Sequence, residues 1–264
     1  MIRLRRELRY EPTEKRVRAR IGDEVAVDST RAALVWEPRR VVPSYAVPVD
    51  DIRAAWEPTA AEPGDPPDGI LHPGIPFAAH TAAGEPVTIG GRDGAGFLLD
   101  DERLGGYAVL DFGAFDRWLE EDEPIYSHPY DPYHRVDVRR STRHVRIELD
   151  GVVIAESTRP TLLFETSLPL RIYLPREDMR LELQPSERRT VCPYKGQASY
   201  WSVDVGGERV EDLAWSYEDP LPSVGAIAGR VAFWDERVDV VLDGVPRERP
   251  QTLLSDALLD EVGI

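Results

Sequence analysis

The sequence predicts a mainly β fold of the α+β type, in which short strands far outweigh helix. Three observations carry this. The 264 residues include 23 prolines and 20 glycines, which punctuate the chain too often for long helices. Stretches of apolar/polar alternation meet at Gly22-Asp23, Asp150-Gly151 and Gly206-Gly207, two-residue turns of hairpin chemistry. The chain also repeats itself at a spacing of about 128 residues, the mark of a duplicated domain and not of a solenoid unit.

The repeat is read from collinear matches. Residues 17–31, VRARIGDEVAVDSTR, answer residues 145–159, VRIELDGVVIAESTR. Leu34-Val35-Trp36-Glu37 answers Leu162-Leu163-Phe164-Glu165. After a one-residue gap, Val47-Pro48-Val49-Asp50-Asp51 answers Leu174-Pro175-Arg176-Glu177-Asp178. His134-Arg135-Val136-Asp137-Val138 is read as the end of the first copy and Glu236-Arg237-Val238-Asp239-Val240 as the end of the second. The expected domains are therefore 10–139 and 143–246, joined by a short linker, with a helical tail at 251–264 whose leucines recur at helical spacing.

In the second copy, strands are expected at 145–149, 152–157, 161–166, 171–175, 198–205, 209–216 and 237–242. One short helix is expected at 223–233, N-capped by Ser223, with Val224, Ile227, Ala228 and Val231 as its apolar stripe. Each copy should hold about one such helix. In the first copy the Pro/Gly/Asp-rich stretch 58–74 reads as an inserted loop.

Composition excludes several classes. Hydrophobic residues make up 42% of the chain, enough for a packed interior. A net charge of -16 repels phosphate backbones, so no nucleic-acid partner is expected. A single cysteine, Cys192, rules out an intrachain disulfide and multi-cysteine metal sites, and suits a reducing cytoplasm. The charged start of the chain lacks a signal-peptide core, and no stretch has the length of a membrane helix. No P-loop pattern occurs. No cofactor and no metal are expected; His128, Asp131 and His134 follow no ligand spacing.

The densest chemistry lies at 190–219, where Cys192, Tyr194, Lys195, Tyr200, Trp201, Trp215 and Tyr217 cluster. A hairpin joins the two tryptophan-bearing strands, and the expectation is that Trp201 and Trp215 share a face and wall an apolar pocket, with Lys195 and tyrosine hydroxyls as polar anchors. Ordinary core packing explains the same aromatics. What favours a site is that the matching part of the first copy, from Phe77 through His80 to Ile89, lacks the Cys, the Lys and the Trp. Glu165, Arg159, Arg171, Glu177 and Asp178 supply charges for the pocket or serve as turn residues and structural ion pairs. Cys192 and Lys195 are candidate nucleophiles, with Glu165 or Asp178 as proton carrier; the alternative for Cys192 is a small buried apolar residue.

These motifs carry a resemblance. Ala155-Glu156-Ser157-Thr158-Arg159-Pro160, Tyr173-Leu174-Pro175-Arg176-Glu177-Asp178, Cys192-Pro193-Tyr194-Lys195-Gly196, Ala198-Ser199-Tyr200-Trp201-Ser202 and Ala214-Trp215-Ser216-Tyr217 resemble the bacterial family catalogued as domain of unknown function 427, here as a tandem pair. The resemblance implies two small Mss4-like or β-tent domains. Some relatives of that group hold zinc with two cysteine pairs, which this chain lacks; others bind small ligands in an aromatic cage. A nucleotidyltransferase label sometimes given to the family finds no Gly-Ser motif with paired aspartates here.

Three functions compete: a small-molecule-binding protein with its pocket in the second copy, an enzyme using Cys192 or Lys195, and a protein-interaction module. A monomer or homodimer is expected, with no membrane partner.

Overall fold

The computed structural model describes residues 6–59 and 65–250. The chain is mainly β, and its described helices are short 3-10 segments. The tail expected at 251–264, and part of the loop expected at 58–74, lie outside the described residues.

Two compact units meet between Asp131 and Pro132. The first contains β1 (Arg9–Pro12), β2 (Val17–Ile21), β3 (Glu24–Ser29), β4 (Ala33–Trp36), β5 (Ser44–Pro48), β6 (Trp56–Pro58), β7 (Gly84–Ile89), β8 (Arg92–Leu99), β9 (Tyr107–Leu110), β10 (Arg117–Glu120) and β11 (Glu123–Ile125). Seven of them form an antiparallel sheet in the order β1-β4-β5-β9-β8-β7-β6, and four form a second sheet, β11-β10-β2-β3. Both sheets contribute to the main core, which includes Val17, Val27, Trp36, Tyr45, Ile89 and Trp118. The other, outer face of the seven-stranded sheet carries a smaller cluster around Val35, Ala46, Phe97, Leu99 and Val109.

The second unit contains β12 (Val136–Arg140), β13 (Val145–Leu149), β14 (Val152–Ser157), β15 (Thr161–Glu165), β16 (Arg171–Tyr173), β17 (Gln184–Cys192), β18 (Gly196–Val205), β19 (Glu208–Ser216), β20 (Val231–Phe233), β21 (Asp239–Leu242) and β22 (Val245–Pro246). The sheets β12-β15-β16 and β17-β18-β19-β20 are joined by an antiparallel bridge between Leu174 and Val231. The resulting order, β12-β15-β16-β20-β19-β18-β17, is strand for strand that of the first unit's large sheet, and β22-β21-β13-β14 is that of its small one. Even the hairpin irregularity recurs: the register shifts after Ala19 in β2 and after Ile147 in β13.

Strand alternation sorts the second unit's side chains. Ile147, Leu162, Ile172, Leu174, Val203, Ala214 and Phe233 fill the core between the sheets. Leu163, Tyr173, Tyr200, Trp215, Tyr217 and Trp234 lie on the outer face.

Two expectations are corrected, and one strand is present that was not expected. The strand Val136–Arg140 does not end the first unit; it opens the second, where it pairs with Thr161–Glu165. Its local likeness to Val238–Asp239–Val240 is coincidental, because the counterpart of β21 is β10: Trp118 pairs with Ala19 as Val240 pairs with Ile147. The expected helix at 223–233 is a 3-10 segment over Pro222–Ile227, interrupted at Val224, followed by strand β20. Gly225 and Gly229 break the stripe: Gly229 sits at a φ of +64° where the chain turns into the sheet. Finally, β17 is a nine-residue strand with no sequence signature, since its sequence, QPSERRTVC, lacks apolar alternation.

Candidate functional site

One element of both units is structural. In the second, Ser157 Oγ donates to Asp178 (2.6 Å), Arg159 N donates back to Ser157 Oγ (3.0 Å), and the Arg159 guanidinium pairs with Asp178 at 2.8 Å. In the first, Ser29, Arg31 and Asp51 make the same three contacts at 2.7, 3.0 and 2.7 Å. The clamp ties the end of the hairpin to the 3-10 turn after the next strand pair. Arg159 and Asp178 are therefore held by the fold as a structural ion pair, one of the two readings the sequence left open for them.

The tryptophan wall is also corrected. Trp201 is paired with Ala214, and Trp215 with Tyr200. Directly opposed residues project to one face, so the two indoles lie on opposite faces of the sheet. Trp201 packs against the inner core, donates Nε1–H to Ser216 Oγ (2.8 Å) and carries the Arg176 guanidinium 4.1 Å above its ring.

The outer face gathers the other candidates. Glu165, at the end of β15, is almost wholly buried, and both of its oxygens are engaged. Oε2 pairs with the Lys195 ammonium. Oε1 lies 3.0 Å from His134 Nε2. An ionised carboxylate only accepts, so Nε2 carries the proton. Tyr194 stacks on the His134 ring at 4.1 Å between centroids. Burial opposes the charge of Glu165, but Lys195 and the hydrogen bonds win and hold its pKa down at about 2. The same pairing, reinforced by the nearby Cys192 and Tyr173 side chains, holds the buried Lys195 ammonium above the ordinary lysine range. An amine so held is not a nucleophile at neutral pH.

Around this triad stand aromatic side chains. Tyr173 is fully buried, and its hydroxyl accepts the Trp215 Nε1–H at 3.1 Å. Trp215 and Trp234 face each other at 4.6 Å, and the Arg171 guanidinium lies 5.5 and 5.4 Å from their rings while making a two-pronged contact with Glu236 at 2.8 Å. Tyr200 bonds Thr190 at 3.0 Å and lies under Arg188. Tyr217 is buried, which raises its hydroxyl pKa. Cys192 is half-buried at the end of β17, where Lys195 N donates to its carbonyl.

Of the residues singled out in the sequence, Glu165, Tyr194, Lys195, Tyr200, Trp215 and Tyr217 lie on this outer face. Sequence reasoning missed His134, assigned to the wrong repeat, and Tyr173 and Trp234, whose outward positions follow from alternation along β16 and β20 but carry no motif. The second unit's other histidine, His144, bonds Glu156 at 3.0 Å. His128 and Asp131 belong to the first unit, where Asp131 accepts the Trp36 Nε1–H at 3.3 Å.

The first unit holds the same carboxylate differently. Glu37, in register with Glu165, bonds His80 Nδ1 (2.7 Å) and the backbone amides of Thr81 and Ala82 (2.7 and 3.0 Å), with His80 stacked on Phe97 at 3.7 Å. A basic side chain therefore persists where Lys195 was thought to have no counterpart. What differs is the surrounding face: by register, Tyr173, Trp215 and Tyr217 replace Ala46, Phe97 and Leu99.

Among the described residues no group of three His, Cys, Asp or Glu side chains is arranged to hold a metal ion, and no helix is long and apolar enough to cross a membrane. No curated protein matches the chain. Residues 137–244, which carry every member of the site except His134, match the family described as a domain of unknown function (DUF427), and to that family the second unit is similar.

Proposed function

We propose that the second unit binds a small molecule presenting a carboxylate or carbonyl oxygen to the outer face at Lys195 and Tyr217. The observation that carries this is a surplus of hydrogen-bond donors. Lys195 spends one of its three N–H groups on Glu165, and Tyr217, a residue buried but for a small part of its surface, makes no side-chain hydrogen bond among the described residues. The Glu165 carboxylate beside them is engaged on both oxygens, so the unspent donors are left for an acceptor supplied from outside. Cationic ligands fit less well, because Arg171 already occupies the indole faces.

The chain is, in the same reading, a tandem duplication, and its first unit keeps the frame without the donor-rich face. The shared strand order and the shared Ser-Arg-Asp clamp support it. The lone cysteine agrees with a cytoplasmic setting.

The test is a titration of the full chain with acetate, pyruvate and benzoate, read by tryptophan fluorescence and by thermal shift. At least one should bind saturably, and Tyr217→Phe, which keeps the ring, should weaken it about tenfold. Equal binding by Tyr217→Phe, or no response to any of the three, overturns the proposal.

A further inference from the structure

We propose a second ligand site on the second unit: a corner formed by Arg140, Thr161 and Arg230 that takes a phosphate-type oxyanion. Arg140 stands directly opposite Thr161 in the β12–β15 ladder, and Thr161 stands opposite Tyr173 in β15–β16, so all three project to the outer face. Arg230 reaches the same corner: its guanidinium donates to the carbonyl of Arg159, two residues before Thr161, at 2.9 Å.

The chemistry of this corner is unbalanced. The Arg140 side chain makes no hydrogen bond or ion pair among the described residues, and the Arg230 side chain makes only its bond to the Arg159 carbonyl. Arg230 is half-buried, and Arg140 and Arg159 repel its charge. The acids within range, Glu177 and Asp178, are engaged by Arg159 at 3.2 and 2.8 Å, and Asp178 also accepts from Ser157. Thr161 Oγ1 is fully buried without a partner. Two forked guanidinium groups with most of their donors unspent, beside an unsatisfied hydroxyl, match the several acceptor oxygens of a tetrahedral dianion.

The frame does not require these groups. The first unit keeps the arginine of the clamp, Arg31, but its register positions for Arg140, Thr161 and Arg230 hold Pro12, Ala33 and Tyr107. Nor does overall charge attract the anion, since the chain carries -16; the corner is a local reversal of sign.

The experiment is isothermal titration calorimetry of the full chain with sodium phosphate and, separately, with glycerol phosphate. Saturable one-site binding is expected, weakened at least about tenfold in Arg140→Ala and in Arg230→Ala. Arg140 is exposed and its side chain makes no hydrogen bond or ion pair among the described residues, so its replacement leaves the fold intact. Thr161→Val should weaken binding while raising the melting temperature, since it removes a buried hydroxyl without changing shape. Arg139→Ala, on the same strand but paired with Asp137, should change nothing. Binding of both ligands identifies a phosphoryl group carried by a larger molecule, and binding of inorganic phosphate alone identifies the free ion; either supports the site. No saturable binding, or equal affinity in wild type and Arg140→Ala, overturns it.

Discussion

Replacing Glu165 by Gln tests what the buried triad contributes to the fold. Glu165 is in effect sealed from solvent, with Lys195 on one oxygen and His134 on the other. A carboxyl held at a pKa of about 2 in place of its ordinary 4.5 stabilises the fold by about 3 kcal/mol when ionised, at about 1.4 kcal/mol per pH unit. Removing one partner of a buried pair costs about 3–5 kcal/mol by general experience, so the two routes agree. Because the folded value is depressed, the contribution is complete above about pH 4.5 and is lost as the pH falls toward 2. Hydrogen exchange read by mass spectrometry resolves the second unit from the first. Peptides from β15 and β18 of Glu165→Gln should lose about 3 kcal/mol of protection at pH 7, with first-unit peptides unchanged, and the acid loss between pH 4.5 and 2 should shrink in the variant. A loss below about 1 kcal/mol, or an equal loss in both units, would refute the reasoning. The pair Glu165→Leu with Lys195→Met should recover most of the loss, because it removes both charges at once.

Two further outcomes follow from the geometry. Asp235 is buried with only a 3.4 Å contact to Arg247, and burial pushes its carboxyl up to about 6. A raised carboxyl binds its proton more tightly when folded, so wild type loses stability as the pH rises from about 4 through 6; Asp235→Asn should be more stable by about 2–3 kcal/mol at pH 7 and equal near pH 4 in urea melts. Gly196 follows Lys195 at a φ of +100°, and a Cβ there would stand 3.4 Å from the Asp219 carbonyl. Gly196→Ala should cost about 1–2 kcal/mol and lower the melting temperature, whereas an unchanged melt would show that the turn is not held as described.

Local features of this fold were legible and non-local ones were not. The hairpins β2–β3, β13–β14 and β18–β19 were visible because alternation and a Gly-containing turn are carried by adjacent residues. The error at Val136–Arg140 arose because three residues of Val-Asp-Val type look alike in any exposed edge or closing strand, and only the ladder to Thr161–Glu165 tells which unit owns them. That error moved His134 out of the site. The misplacing of Trp201 was avoidable. A two-residue turn at Gly206-Gly207 pairs Val205 with Glu208, which puts Trp201 on the face of the even-numbered residues of β19 and Trp215 on the other. The bulge before Ala214, where Asp212 sits at a φ of +51°, adds two residues and so preserves that parity.

Two units with one strand order separate what a frame needs from what a site adds. The Ser-Arg-Asp clamp occurs in both with contacts equal to about 0.1 Å, so its conservation within the molecule is explained by folding alone. The outward glutamate also occurs in both, but its basic partner is drawn from different structures: His80 from the long connection of the first unit, Lys195 from the tight β17–β18 turn of the second. A buried carboxylate at the end of β4 or β15 must be neutralised by whatever connection follows, and that requirement is met either way. The outer-face tyrosines and indoles, and the corner arginines, have no such necessity, since Ala46, Leu99, Pro12 and Tyr107 close the same sheet without them. The unspent donors of Lys195, Arg140 and Arg230 and the unpartnered Thr161 hydroxyl stand on the outer face of the second unit, and that face is where the proposed ligands are to be sought.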